Sequence, residues 1–257
     1  SYSLRRYIML GLGNGITGGA ALDEFDLSSI SSLQAWFKKG EGITTDGGNV
    51  SAWASQVGDF MFGQTVSSAQ PVHDASTDII QFTQARQLTL RTADNSSSAS
   101  VTGGTGNAIT ICMAMKVNVD TTSVNTKFQA VLGTGNTVRV QMFIPGDFFY
   151  LGGASGTITM ILPSGTFADD EVALVTWASE GGTNGNGRLF KNTSTTQLND
   201  PDTGTTGTVS LSQLGNDGAS GGRGFSGGAI ELAIFNEELT GDDLQNVLTD
   251  IATRAGI

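Results

Sequence analysis

The sequence predicts an all-β chain: an antiparallel jelly-roll β-sandwich with one short amphipathic helix at its C-terminal end and an extended arm at its N-terminal end. Three observations predict it. Several runs alternate apolar and polar residues with a period of two, which sets one face of a strand in a core. Turns rich in Gly, Thr, Ser and Asn separate these runs, and with 36 glycines in 257 residues and only 14% charged residues the composition is that of a turn-rich β protein. The period changes to a helical one near the end of the chain. The length suits one large β domain with an ample core, so the chain divides into an arm, residues 1–26, and one sandwich, residues 27–257.

Charge and cysteine content narrow the function. A formal net charge of −11 argues against a nucleic-acid surface, because phosphate binding needs clustered Lys and Arg. No apolar run reaches the roughly 20 residues of a membrane-spanning helix. Cys112 is the only cysteine, so no intrachain disulfide forms and stability has to come from burial.

The first twenty residues differ from the rest. Arg5 and Arg6 precede the apolar run Tyr7, Ile8, Met9 and Leu10, and a glycine-rich stretch, Gly11 to Gly19, follows. One reading is a secretion signal, even of the twin-arginine kind, but glycines interrupt the apolar run early. A second is the dinucleotide fingerprint G-x-G-x-x-G at Gly13–Gly18, which lacks the amphipathic helix and parallel βαβ pattern it requires. The third, carried forward, is a basic docking arm, Arg5 to Leu10, that lies on another subunit; its alternative is an edge strand on its own domain.

Leu33, Ala35 and Phe37 alternate with Gln34, Trp36 and Lys38, and Thr45–Asn49 is turn-rich, so strand, turn and strand are expected up to Trp53. Trp36 and Trp53 have faces suited to sugar rings, but residues of this kind belong more often to a core. His73 is the only histidine and has no second His with which to share a metal or a catalytic triad. Further strands are expected over Ile109–Val119, Val138–Ile144 and Ile158–Leu162. At the end, Ile230, Leu232 and Ile234 alternate with Glu231 and Ala233, then Leu244, Val247, Leu248 and Ile251 form one helical stripe. Thr240 and Asp243 predict a carboxylate version of the capping box, Leu239 a staple onto Leu244, and Arg254 with Gly256 the stop.

The segment Phe225–Arg254 resembles the end of a laminin G-like domain of the concanavalin A-like lectin/glucanase superfamily. Leu33–Phe37 with Val50–Trp53, Ile109–Val119, and Val172–Trp177 with Arg188–Asn192 fit the same resemblance. It implies a lectin-like sandwich, a fold that hosts lectins, adhesion modules, glycosidases and structural domains. Glycosidases of that superfamily set paired carboxylates on one strand face, about 5 Å apart in a retaining mechanism. Here Glu24 and Asp26 begin such a pattern, but Ser29 stands where the second Glu belongs, and Glu231 has Ala229 and Ala233 as same-face neighbours. Gly218–Gly222 matches G-x-S-x-G without the strand-to-helix elbow. The expectation is therefore a chain without catalytic function.

Calcium needs clustered hard oxygen ligands. The candidates are Asp200 with Asp202, Asp169 with Asp170, and Asn216 with Asp217, each also explained by turn chemistry; no other cofactor is expected. The sequons at Asn49, Asn95 and Asn192 are short matches expected by chance. Two functions follow as expectations. The first is a structural or attachment component of a large assembly, resembling domains of tailed-bacteriophage virions: a head decoration or a neck or tail appendage. It would be oligomeric, docked on capsid or tail proteins by its arm, and located in the virion after synthesis in the host cytoplasm. The second is a lectin-like module recognising a cell-surface glycan through a cleft for which the sequence names no residues.

Overall fold

The computed structural model describes residues 25–118, 128–134, 138–143, 148–154, 156–163, 165–181, 185–199, 202–204, 207–216 and 224–257. Its strands are β1 (Leu33–Phe37), β2 (Ile43–Asp46), β3 (Asn49–Ala54), β4 (Phe60–Gly63), β5 (Val72–Asp74), β6 (Ile79–Phe82), β7 (Leu88–Thr92), β8 (Val101–Thr102), β9 (Ile109–Lys116) and β10 (Phe128–Thr134). Then come β11 (Val138–Phe143), β12 (Phe148–Gly153), β13 (Gly156–Ile161), β14 (Val172–Ser179), β15 (Gly185–Lys191), β16 (Asp202–Gly204), β17 (Ser210–Leu211), β18 (Gln213–Leu214) and β19 (Gly227–Phe235). The helix α1 (Gly241–Ala255) follows.

The ladders are antiparallel and trace two layers. One runs β1–β19–β9–β14–β15–β16. The other runs β2–β3–β4–β7–β18–β10–β11–β12–β13. At one margin β5 and β6 bridge them, since β5 pairs with β3 and β6 with β19. Between the layers lies a core that includes Phe37, Trp53, Phe62, Met113, Met115, Val140, Phe149, Trp177 and Leu232. This is the expected all-β sandwich.

A third layer lies outside it. Leu244, Val247, Leu248 and Ile251 of α1 pack with Cys112, Ala114, Ala178, Ala233 and Phe235 in a second buried cluster. Small side chains on β9, β14 and β19 form a shelf low enough for the helix to lie on, so these central strands are buried on both faces. Alternation in a strand of this kind reports size more than polarity. Gly256 ends the helix at φ 80, in the left-handed region, with its amide donating to the carbonyls of Ala252 and Thr253, as the sequence predicts.

Several expected details change. β9 ends at Lys116 and β11 at Phe143, short of the predicted Val119 and Ile144, which lie outside the described residues. Thr240 is the N-cap residue in extended conformation, but its side chain makes no capping bond; only the staple partners Leu239 and Leu244 share a cluster as expected. The alternation expected in β19 is broken by a bulge between Ala229 and Glu231. Ala229, Leu232 and Ile234 face the sandwich core, while Ile230 joins the helix side, as an extra residue in one strand requires.

Candidate functional site

The β19 bulge builds the polar centre of the molecule. It places Glu231, with no exposed surface, opposite Ala114 of β9 on the face that carries α1. The last turn of α1 brings Arg254 to it. Glu231 Oε1 accepts from Arg254 Nη2 at 2.7 Å, Arg254 Nε at 3.0 Å and Trp36 Nε1 at 2.9 Å. Oε2 accepts from Arg254 Nε at 3.2 Å and the Lys39 amide at 3.4 Å. Trp36 reaches this position because it sits opposite Ala233 in β1, and its ring lies 5.0 Å from the Arg254 guanidinium carbon.

Each charge in this centre has a fixed partner. Asp250, one turn before Arg254, pairs with its Nη1 through Oδ1. Burial by itself would lower the Arg254 pKa, but hydrogen bonds and charge from Glu231 and Asp250 raise it above its ordinary value. Lys38 pairs with Glu41 and lies 5.4 Å from the Trp36 ring centroid. Lys39 Nζ donates to the carbonyl of Arg254 at 3.2 Å, at the negative end of the helix.

Against this centre opens a cleft of about 320 Å³, lined by Phe25, Asp26, Leu27, Trp36, Lys38, Asp250 and Arg254. Phe25 and Asp250 also line a second cleft of about 250 Å³ with Asn246, Thr249 and Thr253. Asp26 caps the short 3-10 turn Leu27–Ser29, accepting from the Ser28 amide and hydroxyl at Oδ1; those bonds hold its carboxyl below the usual range. Asp250 Oδ2 is buried and has no hydrogen-bond partner among the described residues. At the other end of α1 a cleft of about 440 Å³ is lined by Arg188, Phe190, Thr195, Thr240, Gly241, Asp242, Leu244 and Gln245, with Arg188 paired to Glu238.

The structure sorts the candidates read from the sequence. Trp53 is fully buried, its Nε1 donating to the carbonyls of Lys38 and Glu41. Trp36 is 9% exposed and lies at the cleft wall, so its ring is a support for charged groups more than an open platform. The arm residues Arg5, Arg6, Tyr7, Ile8, Met9 and Leu10, together with Glu24, Asp200, Asp217 and Gly218–Gly222, lie outside the described residues, and Asp202 begins β16. Asp170 pairs with Lys116. Among the described residues no three His, Cys, Asp or Glu side chains group as a metal site, and no helix is long and apolar enough to cross a membrane. His73 lies 3.7 Å from Asp78. Sequence reading misses Phe25, Lys38 and Asp250; the spacing of Asp250 and Arg254, four apart on a helix, is the one signal that could have marked the site.

No protein-family profile matches the chain, and no curated protein matches it in sequence. Among solved structures it is similar to Trypanosoma rangeli sialidase, at 10% identity and TM-score 0.49 over 87% of this chain and 33% of the other. It is also similar to a mutant of that sialidase displaying trans-sialidase activity, at 10% identity and TM-score 0.48 over 88% of this chain and 33% of the other. A third is the botulinum neurotoxin serotype D ligand binding domain in complex with N-acetylneuraminic acid, at 12% identity and TM-score 0.47 over 86% of this chain and 52% of the other. The chain thus spans about a third of the sialidases and about half of the neurotoxin domain. The expectation of a chain without catalytic function is corrected by this finding, because sialidases stand among the similar structures and the fold class does not separate catalysis from binding.

Proposed function

We propose that the chain is a lectin-like module that takes a carbohydrate into the cleft between Phe25–Leu27, Trp36 and the last turns of α1. The observation that carries this reading is the lining itself. Two aromatic rings, two carboxylates and two cations converge on about 320 Å³, the lower end of the range for small-ligand sites. Arg254 and Trp36 are held in place by a fully buried carboxylate, so their geometry is set before a ligand arrives. Saccharides are recognised by such fixed planar polar groups beside an apolar ring.

A glycan array on the full chain tests it, with calorimetry on the best ligand and product analysis in the same samples, since Asp26 and Asp250 give the cleft two carboxylates. Saccharide binding that Lys38→Ala and Asp250→Ala each weaken about tenfold, with unchanged circular dichroism, supports the reading. No saccharide bound at millimolar concentration removes it.

A role as an attachment component of a large assembly, of the virion kind expected from the sequence, is the second reading. What favours it is that Phe25, near the end of the arm, lines both clefts beside Asp250. The solution mass of the full chain and of a chain starting at Leu22, alone and with capsid or tail proteins, tests it. Association by the full chain alone supports an anchoring arm; equal behaviour of both removes it.

A further inference from the structure

We infer, resting on the carbohydrate reading above, that the cleft selects a saccharide bearing a free primary ammonium, an amino sugar, over its N-acetylated or carboxylate-bearing counterparts. Charge around the cleft is unequal. Glu231 engages Arg254 through both oxygens, Glu41 engages Lys38, and the Lys39 ammonium is placed on the Arg254 carbonyl. Asp26 and Asp250 remain, and Asp250 has only a share of Arg254 through Oδ1. Among the described residues, four carboxylates thus face three cations, which leaves one negative charge for a ligand to balance.

Position as well as charge selects the group. Asp250 Oδ2 is buried with no hydrogen-bond donor among the described residues, and a buried acceptor left unpaired costs free energy. Among the described residues both hydrogen bonds to Asp26 end on Oδ1, and its other oxygen is the one proposed to meet a ligand. An ammonium entering between Phe25 and Asp250 brings three donors of the right charge. An acetamide brings one neutral donor and extra bulk, and a carboxylate brings a like charge.

The test is calorimetric titration of the full chain with glucosamine oligomers, the matching N-acetylglucosamine oligomers, and N-acetylneuraminic acid. The expected result is about tenfold tighter binding of the amine form, weakened at high salt as a partly exposed ion pair requires. Asp250→Asn is expected to bring the two oligomers to near parity and Asp26→Asn to reduce the preference; Asp26 sits on an exposed turn, so the second variant reports even if the first fails to fold. Equal or better binding of the N-acetylated oligomer, or strongest binding of N-acetylneuraminic acid, overturns the charge selection and leaves the carbohydrate reading standing. A preference untouched by both variants overturns the placement. Binding of an arginine-rich peptide with no saccharide bound overturns both.

Discussion

Arg254 binds Glu231 through Nε and Nη2, with contacts of 2.7 to 3.2 Å, and so locks the last turn of the helix onto the bulge of β19. One partner is fully buried and the other is 23% exposed. Removing one side of such a pair leaves an uncompensated buried charge, which costs far more than a surface ion pair contributes.

Arg254→Ala is therefore expected to destabilise the fold by about 3–5 kcal/mol, measured by chemical denaturation. The double variant Arg254→Ala with Glu231→Gln is expected to recover part of that loss, because the stranded charge is gone. A single-variant loss under about 1 kcal/mol would contradict the account.

Thr240→Ala discriminates between pattern and structure. A working cap of this kind is worth about 0.5–2 kcal/mol, but the Thr240 side chain makes no capping bond. The expected change is below about 0.5 kcal/mol, and a loss above 1 kcal/mol would restore the capping box.

The reason the sequence misleads here is the reason it succeeds elsewhere. Local patterns show the strands, the helix and its glycine stop, because periodicity follows directly from which side is buried. They do not show the shelf of Cys112, Ala114, Ala178 and Ala233, where both faces are buried. Nor do they show the Ala229–Glu231 bulge, which depends on pairing with β9. The candidate site needs residues from the first described turn, β1 and α1 together, more than 200 positions apart in the sequence. Only the Asp250–Arg254 spacing is local enough to be read.

Cys112 lies beneath the helix, and burial pushes its thiol up to about 12. The native chain is expected to resist a thiol reagent at pH 8 and to react once unfolded. Because the folded value is raised, the stabilising contribution is present below the unfolded thiol value of about 8.5 and is lost as pH rises past it. Rapid labelling of the native chain would contradict the helix packing.

Asp94 is held down to about 2 by the hydroxyls of Thr92 and Ser96 and the Ser96 amide. Its folded value lies below the ordinary one, so the contribution is present above the ordinary 3.8 and is lost as pH falls toward about 2. A carboxyl titration by NMR checks this, and a midpoint near 4 would show that the turn does not persist in solution.

The most direct test of saccharide binding in this cleft is an NMR titration of the full chain with the tightest saccharide from the array, following the Trp36 indole N–H and the amides of Asp26, Leu27 and Lys38. These signals are expected to shift together and saturate at the calorimetric affinity, with the buried Trp53 and Trp177 indoles unmoved. Saturable binding with shifts confined to another surface would contradict the assignment of this cleft.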